Sequence, residues 1–176
     1  GPVISAGLLA HIDIDKAPTV GHIWRFCGLD PTTKWEPKTK RPWNAALKRL
    51  CWLTGESFVK VSNLEADVYG GLIREYKERI AAKNAAGEYR AAAEAGAARV
   101  RHNTEAYKWY AQGLLPPGHL HARAKRWGVK LFLAHWHQVA WFARHGALPP
   151  KPYVLTLPGH THEIRCPLWP WAGEPS

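Results

Sequence analysis

The chain has 176 residues and a mass of 19.8 kDa, the size of one domain or one compact domain with an extension. Apolar residues make up 46%, which excludes general disorder, and no run of about 18 uncharged apolar residues exists that would cross a membrane. Lys and Arg number 24 against 14 Asp and Glu, a formal charge of +10 that points to a polyanionic partner, nucleic acid before a membrane surface.

In chain order, Pro2 in a first turn predicts a short helix over about Val3 to His11, broken by Asp13-Ile14-Asp15. Pro18-Thr19 opens a second helix through Ile23, Trp24 and Phe26, which Gly28 stops. Residues 30–41 read as a loop rich in Pro, Thr and Lys. A third helix follows over about Pro42 to Val61, with Trp43, Leu47, Leu50, Thr54 and Phe58 on its core stripe. Residues 65–100 are Ala-rich with few large apolar positions after Ile80, and predict a long helical arm, either a solvated insertion or a surface that pairs two protomers. Thr104-Glu105 caps a short helix through Trp109 and Tyr110, and Leu114-Leu115-Pro116-Pro117-Gly118 breaks the chain again. The last helix runs from about Leu120 to His145. Seven prolines in 146–176 predict an extended tail, with Tyr153 to Leu157 as its one strand-like piece. The fold class is therefore all-α, a compact helical domain with an arm and a Pro-rich tail, divided as 1–63, 64–113 and 114–176 with the first and last parts forming one composite domain.

The charge excess sits in two blocks. Residues 31–60 hold Lys34, Lys38, Lys40, Arg41, Lys48, Arg49 and Lys60 against Glu36 and Glu56, and 119–151 hold six bases and no acid. On a helical wheel Arg123, Arg126, Lys130, His137 and Arg144, with His119, fall within about 60° of one another. Gly128, Phe132, Trp136, Val139 and Ala143 fall opposite, as the expected core face. A stripe of one sign that no acid interrupts fits phosphate binding. Arg41, Lys48 and Trp52 repeat the theme at i, i+7 and i+11, and Trp35 or Trp52 beside bases suits stacking on single strands or RNA.

Cys27, Cys51 and Cys166 are odd in number and widely spaced, which argues against a disulfide framework and for a reducing, cytoplasmic setting, with Cys27 and Cys51 as buried packing. No basic-then-apolar signal sequence opens the chain, and the lack of Met predicts a processed or truncated product. His135 and His137 stand on different faces of a helix and cannot share a metal, whereas His160 and His162 in an extended segment could, with Cys166 or Glu163. That is a weak metal motif, and no cofactor is expected. Asp13, Asp15 and Asp30 are the only candidates for a carboxylate cluster, fewer than a two-metal nuclease usually needs, and no serine stands beside an evident base. Enzyme chemistry within the chain is therefore not expected.

Residues 1–31, GPVISAGLLAHIDIDKAPTVGHIWRFCGLDP, carry Gly1-Pro2 ahead of Cys27-Gly28-Leu29-Asp30-Pro31. This resembles the helix-hairpin-helix-like segment of transposases of the insertion-sequence 110/116/902 family, where a Gly-x-Gly-Pro-x-x-Ala start precedes an Ala-Gly-Leu-x-Pro signature. Residues 40–60 resemble the helix that follows the signature. The resemblance implies a guide-RNA-directed DNA recombinase with a RuvC-like domain and a serine nucleophile. This chain shows neither, since its corresponding loop, Thr32 to Thr39, contains no Ser. His121 to Lys130 more loosely resembles the basic helix of Nop domains, which bind guide RNA, as in TIGR-Tas systems of prokaryotes and their viruses. The expected function is thus a guide-RNA-binding module of a mobile element or phage that also meets target DNA. The site comprises Lys34, Lys38, Lys40, Arg41, Lys48, Arg49, Trp52, His119, Arg123, Arg126, Lys130, His137 and Arg144, and the arm makes a homodimer. A recombinase lacking its catalytic domain and a non-specific DNA-binding phage protein are the alternatives.

Overall fold

The computed structural model describes residues 1–64, 67–152, 163–167 and 169–171. Among them the protein is all-α: α1 (Pro2–His11), a 3₁₀ turn (Ile14–Lys16), α2 (Val20–Phe26), α3 (Ala45–Lys60), α4 (Tyr69–Ala85), α5 (Arg90–Ala97), α6 (Glu105–Tyr110) and α7 (Pro117–His145). The chain divides into two compact units, Gly1–Ser57 with Val129–Ser176, and Phe58–Gly128. The divisions fall inside α3 and α7, not at 63 and 113 as the composition suggested. The strand-like piece expected at Tyr153 to Leu157 lies outside the described residues.

In the first unit, Pro2 starts α1 where a missing N–H costs nothing. Asp13 accepts the Asp15 N–H at 3.2 Å and so opens the 3₁₀ turn. Gly28 ends α2 with φ +67°, while its N–H reaches the Arg25 carbonyl at 3.1 Å and the Leu29 N–H reaches Trp24 at 2.8 Å. Asn44 starts α3, its Oδ1 accepting the Leu47 N–H at 3.0 Å. The core gathers Leu8, Ile12, Ala17, Ile23, Leu47 and Leu50 with Val129 and Leu133 of α7. Burial of each large side chain there contributes about 1.5–3 kcal/mol. Cys27 and Cys51 are buried in the same cluster.

The second unit keeps much of the expected arm's surface exposed but gives it a core of its own. Residues 69–97 form two helices, separated where Gly87 turns with φ +79°. Ile73, Ile80 and Ala93 pack with Leu115, Leu120 and Ala124, flanked by Phe58, Tyr76, Tyr89 and Tyr110. Buried Asn84 clamps Leu115, its Nδ2 donating to the carbonyl at 3.1 Å and its Oδ1 accepting the N–H at 2.9 Å. A Cβ on Gly128 would overlap the Ile73 side chain, so α7 passes α4 at glycine distance. Thr104 caps α6 by accepting the Tyr107 N–H at 3.2 Å, as its sequence predicts.

A single wheel does not describe α7. In the second unit it buries Leu120, Ala124 and Gly128; in the first it buries Val129, Leu133, His135 and His137. Of the expected core face, Gly128 is buried, Phe132, Trp136 and Val139 are half-buried, and Ala143 is exposed. A helix that serves two cores has no one apolar stripe.

Candidate nucleic-acid interface

The loop after α2 is anchored at both ends. Asp30 accepts the Thr32 N–H at 2.9 Å and the Thr32 and Thr33 hydroxyls at 2.8 and 3.2 Å. These bonds, the Thr32 amide first, hold its carboxyl below the usual carboxylate range. At the other end the Asn44 N–H donates to the Phe26 carbonyl at 2.8 Å. Between them, Thr39 bonds back to Glu36 through its N–H and its hydroxyl, and Lys38 takes φ +69°, a left-handed conformation unusual for a side chain with a Cβ.

Cations and indoles alternate along this segment. A Cβ on Gly28 would meet the Trp43 ring at 2.8 Å, so only glycine lets that indole lie against the end of α2. Lys48 Nζ stands 3.9 Å from the Trp43 centroid, Trp35 meets Trp43 edge-on at 6.5 Å, and the Arg41 guanidinium lies 5.4 Å from the Trp35 centroid. Trp35 Nε1 donates to the Thr39 carbonyl at 2.9 Å. Lys34, Lys38, Lys40, Arg41 and Arg49 are exposed, Lys48 is half-buried, and among the described residues none of the six pairs with a carboxylate. Trp52 is exposed one turn beyond Lys48 on α3. Arg41 precedes α3, so the expected Arg41–Lys48–Trp52 helical stripe is a loop residue beside two helical ones. Phe26, Lys40, Arg41, Pro42, Trp43 and Asn44 line an open cavity of about 530 Å³.

The bases of α7 are placed differently. In the second unit His119 Nδ1 lies 3.1 Å from the Tyr110 hydroxyl, and burial, then Arg123 and Arg126, push its pKa below the usual histidine value. Arg123 lies over the Tyr89 ring at 4.6 Å, and Arg126 is exposed. In the first unit Lys130 lies over the Trp24 ring at 4.1 Å. Arg144 grips Asp15 through Nε at 3.2 Å and Nη2 at 3.0 Å, and His145 Nε2 reaches the same carboxylate at 3.3 Å. His137 is a correction. It is 2% exposed, its Nε2 donates to the Ala17 carbonyl at 2.6 Å, and burial lowers its pKa. It closes the core and presents nothing to a phosphate.

The three candidate acids do not converge. Asp15 is held by Arg144, Asp13 pairs with Lys16 at 2.8 Å, and Asp30 caps its own turn. Among the described residues no three His, Cys, Asp or Glu side chains gather as metal ligands. His160 and His162 lie outside the described residues, and Cys166 is a half-buried free thiol. His135 is buried instead, with Nε2 donating to the Ile164 carbonyl at 2.7 Å.

Phe26 and Trp43, which line the cavity, are not among the candidate residues read from sequence. Both sit at apolar helical positions, and only the left-handed turn at Gly28 brings the end of α2 beside the segment 40–44. The usable signal was an aromatic residue immediately before a helix stop, followed by a Lys-rich loop.

Comparison of the chain with protein-family models, with curated proteins and with solved structures returns no match to any of them. No helix among the described residues is long and apolar enough to cross a membrane.

Proposed function

We propose that this chain is an RNA-binding module that holds a guide RNA in an RNA-guided DNA-targeting system. One observation carries the reading: the bases of 34–49 stand unpaired by any described carboxylate and are interleaved with Trp35 and Trp43. Phosphate neutralisation supplies affinity at such a surface, and indoles among the bases favour unstacked single strands. The guide role and the target DNA rest on the resemblance of residues 1–31 to the insertion-sequence 110/116/902 transposases. The arm is not proposed as a dimer surface, because Ile73, Ile80 and Ala93 are buried within their own unit.

The test is purification without added nuclease, followed by sequencing of the nucleic acid that copurifies. One abundant small RNA, sensitive to ribonuclease and resistant to deoxyribonuclease, is the expected result. Random DNA, or a preparation free of nucleic acid that ignores RNA at moderate salt, overturns it.

A further inference from the structure

We propose that the cavity at the end of α2 seats one unpaired nucleotide of the bound RNA, its base against Phe26 and Trp43 and its phosphate on Lys40 and Arg41. The inference rests on the RNA-binding reading above and names a site within it. Phe26 is the last residue of α2 and is 44% exposed, although a Phe ring is normally driven inward. It is not merely a surface residue beside the loop, because the Asn44 N–H bond to its carbonyl fixes the end of α2 to the other wall of the cavity. Trp43 is held in place from two sides, by the bare Cα of Gly28 and by Lys48 above its ring.

The chemistry of the lining selects the occupant. Apolar and aromatic faces (Phe26, Pro42, Trp43) share one cavity with two cations, and no acid lines it. A plain apolar ligand would waste the cations, and a bare phosphate would waste the rings. A nucleotide uses both, through a π-face and an anion joined by a short sugar. The pocket excludes a paired base, whose faces are already stacked, so it reads single-stranded or flipped-out nucleotides. Asn44 lines the cavity with its Oδ1 committed to the Leu47 N–H, which leaves its amide NH₂ to donate to a base carbonyl.

The experiment is photocrosslinking of the full chain to a short single-stranded RNA containing 4-thiouridine, with mass-spectrometric mapping, alongside affinity measurements. Crosslinks at Phe26 or within 40–44 are expected. Phe26→Ala should weaken single-stranded binding about tenfold, within the range of one lost stacked base, and leave binding to the matching duplex unchanged. Phe26→Leu keeps an apolar side chain without the π-face, and it should lose the same preference while melting like the parent. RNA binding that persists with crosslinks only elsewhere, or with Phe26→Leu at parental affinity, overturns the pocket and spares the RNA reading. Absence of any RNA binding overturns both. An acidic peptide that binds as tightly, with the same loss on Phe26→Leu, overturns the nucleotide assignment in favour of a protein ligand.

Discussion

Residues 34–49 and the basic stripe of α7 both supplied the charge excess, yet the fold commits part of one and none of the other to a described carboxylate. Along α7 one cation is taken up by a carboxylate, Arg144 on Asp15, and His137 is buried, while Arg123 and Lys130 rest on the rings of Tyr89 and Trp24. In 34–49 the aromatic partners are present, but no described carboxylate takes up the charge. A cation resting on a ring still presents its charge outward, whereas one already bonded to a carboxylate must first break that bond. The α7 stripe is the tidier of the two on a wheel. The proposed interface ranks the less regular loop above it.

The largest expected effect tests that ranking directly. Replacing Lys38, Lys40 and Arg41 by Glu should weaken RNA binding by roughly 100-fold, at about 1 kcal/mol per lost contact. It should also flatten the log–log salt dependence by about 2, at roughly 0.7 per single-strand phosphate. Arg123→Glu with Arg126→Glu should cost about tenfold or less, measured by anisotropy across a salt series. If the α7 pair costs more than the loop triple, the ranking is inverted.

A second variant separates folding from binding. Asn84→Ala leaves the Leu115 N–H and carbonyl buried without partners, which should cost about 2 kcal/mol. Thermal unfolding should shift by several degrees, while RNA affinity measured well below the transition stays within twofold if 34–49 carries it. A large affinity loss in a still-folded Asn84→Ala protein would bring the second unit back into the binding surface.

What was legible in the sequence follows from how local each cause is. The stop at Gly28, the Thr104 cap and the Leu47–Leu50–Thr54 stripe all depend on neighbours within a turn or two, and the structure has them where the sequence predicts, whereas the break expected over Leu114 to Gly118 ends earlier because α7 starts at Pro117. The packing of 69–97 was not legible, because its core is made of three apolar residues, half-buried tyrosines and one asparagine whose partner is 31 positions away. His137 was misread for a related reason. Its angle on the wheel is that of Arg126 and Lys130, but the acceptor that buries it, the Ala17 carbonyl, is 120 positions distant.

Acidity provides a finer discrimination. His119 stands beside Arg123 and Arg126, and burial, then those two arginines, depress its pKa. A phosphate bound there would oppose both arginines and favour the imidazolium, so affinity at α7 would rise as pH falls toward the depressed pKa of the free protein's imidazole. No histidine lines the cavity of the loop, which predicts nearly flat affinity between pH 8 and 6. Stability behaves otherwise. His135 and His137 are held neutral in the fold, so the unfolded chain takes up more protons below pH 6.5, and the melting temperature should fall as pH drops through that region. His137→Gln should remove part of that slope. A rising affinity at low pH that His119→Gln abolishes would favour α7.

The smallest expected effect isolates backbone from charge at one position. Lys38 holds φ +69°, a conformation that costs a residue with a Cβ about 1–2 kcal/mol and glycine little. Lys38→Gly should therefore stabilise the fold by up to about 1 kcal/mol, the gain being reduced by the larger entropy that glycine carries in the unfolded chain. The same substitution removes one cation from the loop, so RNA affinity should fall a few-fold while the melting temperature rises. Opposite movement of the two readouts is what a strained residue kept for its charge produces. If stability and affinity fall together, Lys38 holds the loop rather than the phosphate, and the unpaired cations of 34–49 lose one of their number.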